Sequence, residues 1–83
     1  MYQSLMERRA IPRKHALMSG AIEFAGSMIN CLIRDISISG AALDVTTPQD
    51  IPECFNLVFR ADGTHIPCHV IWRKDERIGV AFD

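Results

Sequence analysis

The stretch CFNLVFRADGTHIPCHVIW, residues 54–72, carries the clearest fold signal in the chain. Every second residue from Phe55 to Phe59 is large and apolar, which is the period of a β-strand with one buried face. An Asp-Gly pair then marks a turn, and a second strand of the same period follows. The residues expected on the buried face of that second strand are Ile66, Cys68, Val70 and Trp72. The stretch therefore predicts an antiparallel hairpin.

The same period of two recurs on both sides of this hairpin. Two more strands are predicted around the turn AGS, a third at AALDV with Leu43 and Val45 inward, and a last one at IGVAF. The predicted ranges are 15–24, 28–38, 41–45 and 78–82, and the inward residues of the last strand are Ile78, Val80 and Phe82. Such short antiparallel strands with little helix predict an all-β fold. We expect a small six-stranded antiparallel β-barrel, closed or nearly closed, because an open sheet would leave exposed edges.

Length and charge narrow the class of protein. Eighty-three residues, 48% of them hydrophobic, support one small core and hence a single domain. We expect a flexible basic arm over residues 1–14 and the barrel over residues 15–83. A net charge of −1 and a pI near 6.3 argue against a nucleic-acid partner, and no apolar run approaches the ~18 residues needed for membrane insertion. The expected location is the cytoplasm.

The cysteines and histidines fit that location without suggesting catalysis. Cys31, Cys54 and Cys68 are odd in number and lie in apolar segments, which predicts reduced, buried thiols. Strand alternation sends Cys68 to the face opposite His65 and His69, so we expect no metal site there. No phosphate-binding loop or nucleophile elbow is present in the sequence, and we expect a binding protein without enzymatic activity.

The segment RDISISG, residues 34–40, combines a core pattern with polar groups. In a continuous strand, Ile36 and Ile38 enter the core while Asp35 and Ser37 point outward. Gly40 ends the row, where the missing Cβ permits a positive φ or a close approach of a ligand to the backbone. A polar outer face and a turn glycine are also ordinary in half-buried strands, so the segment by itself leaves both interpretations open.

The segment ERRAIPR, residues 7–13, favours the binding interpretation. It places Arg8, Arg9 and Arg13 around a spacer that Pro12 keeps out of a helix. Guanidinium forks match the oxygens of a phosphate and the O6/N7 edge of guanine. A carboxylate such as Asp35 complements them by accepting from the N–H groups of guanine. Arginines together with one aspartate therefore point to a guanine nucleotide.

These two segments resemble the PilZ domain family, receptors for the bacterial second messenger cyclic di-GMP. The family pattern is R-R-x-x-x-R before the first strand and [D/N]-x-S-x-x-G at the end of the second, and VIWRKDERIGVAFD resembles the family's last hairpin. By resemblance, the ligand-binding residues are Arg8, Arg9, Arg13, Asp35, Ser37 and Gly40. Many family members add a C-terminal helix after the sixth strand, where this sequence stops. The sequence therefore leaves barrel closure and self-association open.

The resemblance implies a mechanism as well as a ligand. Cyclic di-GMP lies on the outer barrel surface, and Trp72 is a further candidate contact that stacks beneath a guanine unless it belongs to the core. Binding orders the arm and changes the surface that a downstream protein meets, in regulation of motility or biofilm formation. No cofactor is implied. The main alternative is a ligand-free PilZ-like module that works through protein–protein contacts, and a small nucleic-acid-binding barrel is a weaker one.

Overall fold

The computed structural model describes residues 17–83, so the predicted arm over residues 1–14 lies outside the described part of the chain. The strands are β1 (Met18–Phe24), β2 (Ser27–Arg34), β3 (Gly40–Asp44), β4 (Cys54–Phe59), β5 (Thr64–Lys74) and β6 (Arg77–Phe82). A turn of 3-10 helix, Pro48–Asp50, lies between β3 and β4. The division into an arm and a barrel that begins at residue 15 stays a prediction.

Antiparallel pairing closes the six strands into a barrel in the order β1, β2, β3, β6, β5, β4. The ring is completed by β4, which pairs back onto β1 from Gly20↔Phe59 to Glu23↔Asn56. The predicted all-β, six-stranded antiparallel barrel is confirmed. Closure gives every described strand two neighbours, which removes the free edges of an open sheet.

The core fills the barrel with alternate residues of the strands. Its fully buried large side chains are Ile22, Ile33, Leu43, Leu57, Cys68, Ile78 and Val80. Burial of each of these side chains stabilises the fold by roughly 1.5–3 kcal/mol relative to exposure. The predicted inward positions Leu43, Val45, Phe55, Leu57, Ile78 and Val80 are confirmed as buried, and Phe59, Val70 and Phe82 pack against them.

The predicted turn between the first two strands is confirmed. Ala25 and Gly26 connect β1 and β2, and both have positive φ, 49° and 78°. Two positive φ values in a two-residue connection are typical of a type I′ turn, whose twist matches that of the flanking strands.

The second strand is shorter than predicted. β2 ends at Arg34, and Asp35 has a φ of 45°, which interrupts the alternation of a strand. Ile36 still packs against the core, but Ile38 is 85% exposed. The prediction that Ile38 enters the core is therefore wrong, because the backbone turns away from the strand before reaching it.

A β-bulge in β5 moves Trp72 to the outer face. Val70 pairs with Val80, whereas Trp72 pairs with Gly79, so Ile71 is an extra residue between the two pairs. Trp72 is 44% exposed, while Cys68, on the predicted face, is buried. The prediction that Trp72 shares the buried face with Cys68 is wrong for this reason.

The burial of the three cysteines follows strand alternation rather than the apolar composition of their segments. Cys31 and Cys68 are buried as predicted, but Cys54 is exposed. Cys54 precedes the buried Phe55 and pairs with the exposed His69, so it belongs to the outer face. The prediction of a buried thiol at Cys54 is therefore wrong.

Gly40 allows β3 and β6 to approach one another. A Cβ at this position would overlap the carbonyl oxygen of Val80 and would lie 3.2 Å from the Cα of Ala81. Gly40 is not among the residues with positive φ. The prediction of a positive φ at Gly40 is thus wrong. A close approach does occur, but the group that approaches the Gly40 backbone is the neighbouring strand β6.

We expect Gly40→Ala to lower the free energy of unfolding by about 1–3 kcal/mol, because the added methyl group meets backbone that must shift. Urea unfolding followed by circular dichroism measures the change. Ser27→Ala, at an exposed position of β2, is the control and should change stability by less than about 0.5 kcal/mol. An unchanged midpoint for Gly40→Ala would contradict the steric argument.

Candidate functional site

The loop of residues 35–39 is shaped by Ser37. Its backbone N–H donates to the carbonyl of Gly40 at 2.8 Å, and its hydroxyl lies 3.3 Å from the same oxygen. The hydroxyl also accepts from the N–H of Ser39 at 3.3 Å. These bonds hold a compact loop directly before β3, with the half-buried Asp35 at its start.

Small residues form a flat floor beside this loop, on the outer face of the barrel. Gly40 pairs with Ala81, and two residues further along Ala42 pairs with Gly79. Directly paired residues and residues two apart share one face of a sheet, so all four lie on the same side. Their small size leaves this part of the barrel wall without projecting side chains.

Trp72 lies across one end of the floor. A Cβ on Gly79 would overlap Nε1 and Cε2 of the indole, so the ring rests directly against the glycine. Together the loop, the floor and the indole border a depression of about 350 Å³, within the usual size of ligand sites. We call it the Trp72 depression, and its polar and aromatic lining consists of Asp35, Ser37, Ser39, Trp72 and Arg77.

The structure brings together four of the residues singled out in the sequence. Asp35, Ser37, Gly40 and Trp72 all line the Trp72 depression. The other three, Arg8, Arg9 and Arg13, lie outside the described residues. The loop and the tryptophan come from distant parts of the sequence, and their meeting results from the β3–β6–β5 order and from the bulge in β5.

Ionic contacts at the edge of the depression centre on Asp44. Its carboxylate accepts from Nε of Arg34 and, at 2.7 Å, from Nε of Arg77. Partial burial by itself would raise the pKa of the Asp44 carboxyl. The hydrogen bonds and charges of the two arginines outweigh that effect and lower the pKa below its ordinary value of 3.8. Asp44 is therefore ionised at neutral pH and holds both cations.

A second depression, of about 1000 Å³, borders the first at Trp72 and Arg77. Its charged lining is mixed, with Arg60, Lys74 and Arg77 facing Asp44, Asp75 and Glu76. Arg60 is engaged there by Asn30, whose side-chain oxygen it contacts at 2.5 Å. Positive and negative side chains are thus equal in number here, as they are in the Trp72 depression, where Arg77 and Asp35 are the charged lining residues.

Sequence reasoning missed Arg77 and Ile71, which both line the Trp72 depression. Arg77 follows the turn of the last hairpin, where a charged residue is ordinary. Its place in the site is visible only in the assembled barrel, where it lines the depression beside Gly79. Ile71 escapes a period-two pattern because it is the extra residue of the bulge.

Burial governs the chemistry of two of the described thiols. Burial raises the pKa of the Cys31 thiol to about 11 and that of the Cys68 thiol to about 12, so both are protonated at neutral pH. Cys68 lies on the face opposite His65 and His69, as predicted. Within residues 17–83, no three metal-ligating side chains come together. No helix in this part of the chain is long and apolar enough to cross a membrane.

Comparison with known proteins agrees with the motifs. The profile of the PilZ domain family matches residues 7–83, which is nearly the whole chain. The match includes both the arginine segment and the loop before β3. No curated protein and no solved structure showed significant similarity to the chain.

We expect Asp44→Asn to reduce stability at pH 7 by about 0.2–1 kcal/mol, the usual range for exposed ion pairs. Because the pKa of Asp44 is lowered in the folded state, its contribution is present above the ordinary carboxyl pKa and is lost as the pH falls through the folded-state pKa. Urea unfolding at pH 7 and below pH 3 measures the difference in stability between variant and wild type. Glu53→Gln, at an exposed acid, is the control. A gap that persists unchanged in acid would contradict the assignment.

Proposed function

Because the chain belongs to the PilZ domain family, we propose that it is a receptor for cyclic di-GMP and binds this messenger in the Trp72 depression. PilZ domains form a family of receptors for cyclic di-GMP, not a family of catalysts. The proposal concerns which surface and which residues of this chain take the ligand.

One observation supports this location above all. Asp35 and Ser37, from the loop after β2, and Trp72, from β5, border the same small-residue floor. A flat floor with an aromatic ring at one end and a carboxylate at the other suits a planar base that has N–H donors on one edge. Guanine has this combination of a stacking surface and donors.

Each bordering residue has a separate role in the proposal. Asp35 accepts from N1–H and the exocyclic amino group of a guanine. Trp72 stacks on a base, an interaction worth about 1–3 kcal/mol per base in single-stranded nucleic-acid complexes. Ser37 acts mainly through the shape of the loop, since its hydroxyl and N–H both engage the Gly40 carbonyl.

The arginine segment supplies the positive charge that a dianionic ligand requires. Arg8, Arg9 and Arg13 bind the phosphates and the O6/N7 edges of the guanines, because each guanidinium donates in a planar fork. Binding orders the segment over the depression and presents a new surface to a downstream protein. Control of motility or biofilm formation is the expected outcome for a cell.

We expect Arg9→Ala and Arg13→Ala each to weaken binding of cyclic di-GMP at least tenfold, since charge-assisted hydrogen bonds contribute about 1.5–3 kcal/mol. Isothermal titration calorimetry measures affinity, and circular dichroism checks the fold. Arg60→Ala removes an equal charge from the second depression and is the matched control. Undiminished affinity in both variants would contradict the proposal that the arginine segment binds the ligand. A wild-type protein that gives no heat would favour the ligand-free interaction module instead.

We expect Trp72→Ala to weaken binding fivefold or more, in line with about 1–3 kcal/mol for a stacked base. Trp72→Phe should retain most of the affinity because it keeps an aromatic face. Trp72 is the one tryptophan of the sequence, so quenching of its fluorescence on titration reports the contact in the wild type. Wild-type affinity in Trp72→Ala would show that the base lies elsewhere.

A further inference from the structure

Arg77 occupies an unusual position at the border of the Trp72 depression. It begins β6 on the outer face, opposite Asp44 in β3 and Lys74 in β5. It precedes Gly79 of the floor by two residues, and its side chain is 45% exposed. The side chain therefore lies beside the floor and remains accessible to a ligand.

The contact with Asp44 leaves most of the guanidinium available. Arg77 engages that carboxylate through Nε, at 2.7 Å. A guanidinium has five N–H donors, four of which are on Nη1 and Nη2. Within residues 17–83, no side chain or carbonyl accepts from those two nitrogens of Arg77. Asp44 thus fixes the orientation of the Arg77 guanidinium, and Nη1 and Nη2 remain available to a ligand.

The ion-pair cluster at Arg77 is cationic by itself, while the carboxylate of Asp35 lines the same depression. Asp44 is shared between Arg77 and Arg34, so two cations meet one carboxylate and the cluster carries a net positive charge. The whole chain, in contrast, has a net charge of −1. An exposed salt bridge by itself contributes little to stability.

We propose that Arg77 binds a phosphate of the cyclic dinucleotide through its terminal nitrogens, with Asp44 as the residue that positions it. This inference rests on the proposed function. A base that lies on the floor between Asp35 and Trp72 brings the attached sugar-phosphate to the border of the depression, where Arg77 is the lining cation. The barrel then provides its own phosphate contact, in addition to those of the arginine segment.

Orientation and charge make opposite predictions for Asp44→Asn. The substitution removes a negative charge next to the site, so electrostatic attraction alone would make a dianion bind more tightly. If Asp44 acts by holding the guanidinium in place, the same variant binds more weakly. The direction of the change separates the two explanations.

The experiment is calorimetric titration of the full chain with cyclic di-GMP at several salt concentrations. We expect Arg77→Gln to bind about tenfold more weakly or worse and with a shallower salt dependence, because one charge contact is missing. Arg77→Lys should restore only part of the affinity, since an ammonium group cannot form the planar fork. Asp44→Asn should also bind more weakly. Arg60→Gln, the matched control, should stay within about twofold of wild type, as expected for a screened charge outside the site.

The outcomes separate this inference from the function it rests on. If the wild type binds and Arg77→Gln matches Arg60→Gln, Arg77 is not a ligand residue, and the proposed function stands. If Arg77→Lys binds as tightly as wild type, or Asp44→Asn binds more tightly, the proposal that Asp44 orients the Arg77 guanidinium is overturned. If the wild type does not bind, both proposals fail. Thermal unfolding checks each variant, and Arg77→Lys carries the test should Arg77→Gln not fold.

Discussion

The close approach of β3 and β6 is the constraint on which the rest of the structure depends. Gly40 permits it, because any larger residue would place a methyl group on the Val80 carbonyl. Without this pairing the ring of six strands would have two open edges. The same pairing aligns Gly40 and Ala42 with Ala81 and Gly79, so the contact that closes the barrel also creates the flat floor outside it.

Each element around that floor contributes a different chemical group to the candidate site. The loop of residues 35–39 contributes a carboxylate and hydroxyls, and β5 contributes an indole because its bulge turns Trp72 outward. The strand pair β3–β6 contributes Arg77, which pairs with Asp44. In a chain of slightly negative net charge, the proposed affinity for an anion rests on such local placement rather than on a general positive field.

The bulge has a second consequence at the end of the barrel. The residue after Trp72 is Arg73, which pairs with the buried Ile78 and donates to the carbonyls of Pro48 and Ile51, at 2.5 and 2.7 Å. These bonds attach the 3-10 turn to β5. One inserted residue thus serves both the outer face and the connection between β3 and β4.

The sequence by itself determined the number of strands, their turns and most of the core, because burial with a period of two is a local property visible in stretches such as residues 54–59. It also identified Asp35, Ser37, Gly40 and Trp72 as candidates through motif and composition. Only the tertiary structure decided that Ile38 is exposed, that Trp72 faces outward and that Arg77 joins the site. The first depends on a single left-handed residue, Asp35. The others depend on the register between strands, which pairs Asp44 with a residue 33 positions away and which no local pattern specifies.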